Sequence, residues 1–126
     1  MIFNRIRRVA PPGTPIPKPL TRSSHVSRFD IKRGRPALIY TIRNRRDPHN
    51  PHEKGITDRE FEAAHDRLVN AGELTRQWFN HRLSLCAAEG PCNFTTIGGV
   101  FKLLGLATYE RRGVYRKTSR SRWPDT

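Results

Sequence analysis

Two adjacent guanidinium groups, Arg111 and Arg112, followed by Gly113, are the side chains of this sequence best suited to hold an anion, because the only acid beside them is Glu110. At the tip of a hairpin they would meet phosphate oxygens or a narrow minor groove. Arg116 and Lys117 continue the same basic strand. A second set lies upstream: Thr95, Thr96, Gly98, Gly99 and Lys102 interleave with an apolar stripe at Ile97, Val100, Phe101 and Leu104, spaced i, i+3, i+4 and i+7. Hydroxyls and an ammonium near a helix N-terminus reach base edges or phosphates. The competing reading is an amphipathic helix with a solvated face. The third set is Lys32-Arg33-Gly34-Arg35-Pro36. Arg33 and Arg35 there could bind a polyanion, against a solvated basic linker leading into a strand.

Metal and catalytic chemistry find little support. His49-Asn50-Pro51-His52 and Cys86-x5-Cys92 lack the short paired spacings of a structural zinc site, and His25, His65 and His81 are scattered. Cys86 falls on an apolar helix face and reads as a core thiol. A disulfide to Cys92 could close across Gly90-Pro91, but not in a reducing compartment. Gly98-Gly99 lacks the Lys-Ser/Thr partner of a phosphate loop, and Asp47, Glu53 and Lys54 form no acid cluster for metal-assisted hydrolysis. No enzyme, metal or cofactor is expected. Trp78 and Phe79 could stack bases, but their spacing with Leu83 and Cys86 assigns both to a core.

The elements that must position these residues are legible in part. Ala37 to Ile42 is an apolar, β-branched run that predicts a strand, closed by Asn44, Arg45, Arg46 and the stretch Asp47 to Pro51. Thr57-Asp58-Arg59-Glu60 has capping-box spacing, so a helix should start at Asp58; Phe61, Ala64, His65 and Leu68 line its inner face and Gly72 follows its end. Glu73-Leu74-Thr75 makes a brief extended link. A second helix runs from Arg76 with Trp78, Phe79, Leu83, Cys86 and Ala87 inward, until Gly90-Pro91 ends it. Asn93, Thr95 or Thr96 can cap a third, which Gly105 stops. Ala107 and Tyr109, then Val114 and Arg116, alternate around the Arg111-Arg112-Gly113 turn, with one of Tyr109 and Tyr115 inward and the other outward.

From Asp58 to Lys117 this order of helix, link, helix, helix and hairpin resembles the winged helix-turn-helix domain. The resemblance implies an α+β fold, a small winged helix of three helices plus a C-terminal β-hairpin wing with a strand before it. It also implies that the third helix enters the major groove of DNA and the wing touches backbone or minor groove. Arg33-Gly34-Arg35-Pro36 resembles the core of the AT-hook, which implies contact with the minor groove of A·T-rich DNA. One departure is the Gly98-Gly99 pair inside the reading helix, where each glycine costs about 1 kcal/mol against alanine. Either the backbone approaches something closely there, or the helix begins after Gly99.

Composition sets the frame. With 24 Lys/Arg against 11 Asp/Glu, net charge +13, the natural partners are polyanions. Residues 1–54 carry 13 basic and 3 acidic side chains, residues 55–89 carry 4 and 6, and residues 90–126 carry 7 and 2, so basic ends flank a mildly acidic middle. Five prolines in the first 19 residues and a mean hydropathy of −0.73 predict a flexible basic Pro-rich arm over 1–36, a core over 37–117 and a flexible basic tail over 118–126, continuing from Lys117 with Arg120 and Arg122. The N-terminal prolines would break a presequence helix, no secretory signal is read, and no apolar run is long enough for a membrane span. The expected compartment is the cytoplasm, on the nucleoid in a bacterium or in the nucleus of a eukaryote.

Together these readings predict a protein that holds duplex DNA in preference to RNA, in transcription regulation or a DNA-processing system. It would work without a membrane and, as a homodimer, with spaced half-sites. An RNA-binding or complex-assembly module with flexible basic ends is the alternative, and a small metal-dependent nuclease the third.

Overall fold

The computed structural model describes residues 1–20, 24–42 and 46–119. Its architecture is α+β: five helices and two small antiparallel sheets. In chain order these are α1 (Ile2–Val9), β1 (Ser24–Lys32), β2 (Arg35–Ile42), β3 (His52–Thr57), α2 (Asp58–Ala71), β4 (Glu73–Thr75), α3 (Arg76–Arg82), α4 (Ser84–Glu89), α5 (Asn93–Leu103), β5 (Ala107–Arg111) and β6 (Val114–Lys117). The first sheet has strand order β1-β2-β3 and the second β4-β6-β5. Among the described residues no helix is long and apolar enough to cross a membrane.

Local chemistry explains most boundaries. Thr57 Oγ1 accepts from the Glu60 amide at 3.2 Å while Glu60 Oε1 accepts from the Thr57 amide at 2.9 Å, so α2 starts on the capping box at Asp58. It ends at Gly72, whose φ of 80° reverses the chain into β4. The second helix is split at Leu83, with φ −118° and ψ 52°, into α3 and α4. No side chain caps α5; Asn93 is buried, and its amide donates to the Cys86 carbonyl at 2.9 Å. Asn44 and Arg45, expected to close β2, lie outside the described residues, as do Arg120 and Arg122 of the expected tail.

The largest departure from expectation is the N-terminal third, predicted as a flexible arm over 1–36. Ile2, Phe3 and Ile6 of α1 are buried in the common core, and Arg5 donates to the Leu104 carbonyl at 3.1 Å. Residues 13–16 run along the edge of β1: Gly13 donates to Val26 O at 2.7 Å, Val26 to Thr14 O at 2.9 Å and Ile16 to Ser24 O at 2.9 Å. A proline lacks the amide donor of a ladder but keeps its carbonyl, and an edge needs donors at alternate residues only. The prolines between Pro11 and Pro19 thus coexist with an ordered strap. Ile16 is 3% exposed.

That strap passes over α5. A Cβ built on Gly99 would lie 2.3 Å from the Pro17 carbonyl oxygen, and one on Gly98 would lie 2.1 Å from the Tyr115 ring on β6. The two glycines therefore sit where the helix backbone is approached from two directions about 100° apart. Lys18 closes the strap: its Nζ donates to Thr96 Oγ1 at 2.7 Å, Thr95 Oγ1 at 3.0 Å and the Cys92 carbonyl at 3.3 Å, and lies 5.4 Å from the Tyr40 ring centre. On the inner side of α5, Phe94 stacks edge-on with Tyr115 at 5.5 Å and meets Phe79 at 5.6 Å, while Phe101 meets Phe61 at 6.2 Å.

Gly98→Ala should destabilise the protein by about 1–3 kcal/mol through overpacking against the Tyr115 ring. Gly99→Ala should do so as well, because its obstacle is backbone. Urea unfolding reads both, and a variant as stable as the parent would show that ring or carbonyl does not touch the helix.

Lys18 gives a pH signature. Burial pushes its ammonium down to about 8 from 10.5, with Cys92 opposing and Arg76 adding smaller effects. Between those values the unfolded chain holds a proton that the folded chain has lost, so raising the pH through the window favours folding, and below it the burial cost is felt in full. Cys86, Tyr40 and Tyr115, pushed up by burial, act in the opposite sense at higher pH. A Lys18→Met variant retains those three groups. The stability gap between parent and variant should therefore shift toward the parent from about pH 7 to about pH 9; a constant gap in urea melts would contradict a buried, depressed Lys18.

Candidate nucleic-acid interface

Arg33 and Arg35 do not form an extended minor-groove arm. Arg33 and Gly34 have φ of 47° and 74° and make the two-residue turn of the β1–β2 hairpin, in which Lys32 pairs with Arg35. The Arg33 guanidinium folds back onto Glu60 Oε1 at 2.5 Å, Glu89 Oε1 at 2.7 Å and the Gly55 carbonyl at 2.8 Å. Burial disfavours its charge, but Glu60 and Glu89 outweigh that and hold the guanidinium above its ordinary value. Arg35 grips both oxygens of Asp58, at 2.7 and 3.1 Å, and Lys32 meets Glu89 at 2.6 Å. The glycine that suits a groove floor suits a tight turn equally. Acids 23 to 56 positions downstream in the sequence claim the two arginines.

The expected reading face of α5 is not a surface either. Thr96, Gly98 and Gly99 are buried, Thr95 is half-buried under Lys18, and only Lys102 of that set is exposed. Both sides of the helix are packed, one against the core and the other under the strap.

The hairpin expected at the C-terminal end is present, with Tyr115 buried and Tyr109 39% exposed. Its cations differ in their freedom. Glu110 pairs with both Arg111 and Arg116, and Arg116 also reaches Glu73 at 3.5 Å. Arg112, at the tip, is exposed and has no carboxylate partner among the described residues, and Lys117 is half-buried. Arg112 neighbours the start of α3: the Arg76 amide donates to Gly113 O at 2.9 Å. Arg76 itself is committed, donating to the Pro91 carbonyl at 2.6 Å with its guanidinium 4.7 Å from the Phe94 ring centre. Burial lowers its pKa, and the nearby Arg112 charge adds to that.

Beside this tip an open groove of about 410 Å³ runs between α2 and α3, lined by Arg67, Thr75, Gln77, Trp78, His81 and Arg82. Arg67 of α2 and Arg82 of α3 both reach it because the chain reverses at Gly72 and passes through β4 into α3. Trp78 and Phe79, both assigned to the core by spacing, part company: Phe79 is 1% exposed, while Trp78 packs on the core with one side and lines the groove with the other. The helical period carried a signal for this. Gln77 and His81, four residues apart, share a face turned from Phe79, and Trp78 and Arg82, also four apart, flank it.

The remaining chemistry-bearing groups are internal. Cys86 is a buried thiol raised by burial, and Cys92 is half-buried with its sulfur 3.2 Å from the Tyr40 hydroxyl. Among the described residues no three His, Cys, Asp or Glu side chains converge as metal ligands. No family model, no curated protein and no solved structure matches this chain, so its functional reading rests on the geometry of its own residues.

Proposed function

We propose that this protein is a DNA-binding module of winged-helix type that holds duplex DNA on the flank formed by the wing tip and α3 rather than on α5. The observation that carries this is the division of charge. Asp58, Glu60 and Glu89 are spent on Lys32, Arg33 and Arg35. Arg67, Arg82 and Arg112 have no carboxylate partner among the described residues; the first two line the groove beside α3, and Arg112 is at the hairpin tip whose Gly113 carbonyl accepts from the first amide of α3. Unpaired exposed guanidinium groups on a protein of net charge +13 attract phosphates without first breaking an internal pair. The order α2, β4, α3 with α4, α5, β5, β6 and the strand order β4-β6-β5 support the winged-helix reading.

Fluorescence anisotropy of a labelled duplex, titrated at several salt concentrations, tests it. Combined Arg67→Ala, Arg82→Ala and Arg112→Ala should lower the salt-dependence slope by about 2 to 3 and weaken binding at low salt by about tenfold or more. Arg111→Ala, which removes a cation already paired with Glu110, should do much less. Unchanged affinity and slope in the triple variant, with its fold intact by circular dichroism, would refute the assignment. Equal competition by duplex RNA would move it to the RNA-binding alternative.

A further inference from the structure

The groove between α2 and α3 holds more than positive charge. Trp78 packs partly on the core and keeps part of its indole exposed to the groove, and the side-chain donors of Arg67, Gln77, Trp78, His81 and Arg82 have no hydrogen-bond partner among the described residues. No carboxylate lines it. Thr75 Oγ1 accepts from the Trp78 amide at 3.1 Å, which fixes the first turn of α3 and the position of the indole. At about 410 Å³ the groove is of small-molecule size.

We infer that this groove seats one unstacked nucleotide, its phosphate between Arg67 and Arg82 and its base on the Trp78 indole. The inference rests on the nucleic-acid reading of the same flank and goes beyond it, because a base on an indole must leave the duplex stack. A bare phosphate site would need no indole in its lining. An apolar peptide side chain would leave two guanidinium groups and three further donors without acceptors. A nucleotide meets both demands: a π-face for the indole, and phosphate and base-edge acceptors for the donors. Every base has a π-face, so the seat tolerates any sequence. It gives the protein a preference for a duplex carrying an unpaired segment over an uninterrupted one.

The chain has two tryptophans, so Trp123→Phe leaves Trp78 as the sole indole reporter. The full-length variant is titrated with an oligothymidylate strand, an abasic strand of equal length, thymidine monophosphate, inorganic phosphate and an uninterrupted duplex, with anisotropy recorded in parallel for the strands. The expected result is quenching of Trp78 emission by the oligothymidylate but not by the abasic strand or phosphate. Quenching by the monophosphate as well identifies a free nucleotide as sufficient; quenching by the strand alone identifies a strand-borne one. Trp78→Leu, which keeps the apolar packing, should weaken the thymidylate strand about 5- to 100-fold and leave the uninterrupted duplex unaffected. If anisotropy records binding of the thymidylate strand while emission stays constant, or if phosphate or the abasic strand quenches equally, the nucleotide seat is wrong and the nucleic-acid reading stands. If no nucleic acid binds at all, both fall.

Discussion

The close approach to α5 from two sides is the constraint on which the rest of this structure depends. Tyr115 reaches the helix backbone at Gly98 and the Pro17 carbonyl reaches it at Gly99. Any side chain at either position would push the second sheet or the N-terminal strap outward by more than an ångström. Two mid-helix glycines cost about 2 kcal/mol in helix propensity, and the contacts they admit offset it. Phe94 meets Phe79 on one side and Tyr115 on the other, so α3, α5 and β6 are packed together through one ring. Lys18 joins the strap to the same helix through three oxygens, which leaves its ammonium with little water and full hydrogen bonding.

Charge is organised around the start of α2. Glu60 both closes the capping box at Thr57 and receives Arg33, so one carboxylate starts the helix and ties the first sheet to it. Asp58, at the N-terminal turn where negative charge is favourable, takes Arg35. Glu89 at the end of α4 completes the cluster with Lys32 and Arg33. These pairs are partly buried, where removing one partner is far costlier than at a surface. With those acids committed, Arg67, Arg82 and Arg112 are left without a carboxylate partner among the described residues and keep their positive charge available to an outside anion.

What the sequence made legible is what neighbours within about four residues decide. The Thr57–Glu60 box, the reversal at Gly72, the apolar strand ending at Ile42 and the β5–β6 hairpin all carry their information locally. Partners far apart in sequence were not legible. Nothing near Arg33 announces Glu60 or Glu89, and a turn and a groove-lying arm share the same Arg-Gly-Arg string. The prolines before β1 suggested an extended arm, while Ile2, Phe3 and Ile6, an apolar i, i+1, i+4 set, pointed to a helix and were masked by Arg5, Arg7 and Arg8. Trp78 and Phe79 are neighbours about 100° apart on one helix, and only the position of Phe94 decides that the phenyl ring goes in and the indole stays at the surface.

The covering of α5 bears on what kind of recognition is open to the protein. To expose Thr95 and Thr96 the strap would have to leave, which would uncover Ile16, open the ladder to β1 and strip three acceptors from Lys18. Such a change costs far more than phosphate contacts on a helix face return, so α5 is better suited to be the keel of the fold than its reader. Recognition on the proposed reading then falls to guanidinium groups and one indole on a flank. Guanidinium groups there meet phosphates, which carry position but no sequence, and an indole stacks on any base. A surface of this make discriminates by the shape and pairing state of a nucleic acid, and the base-edge code of the major groove plays no part in it.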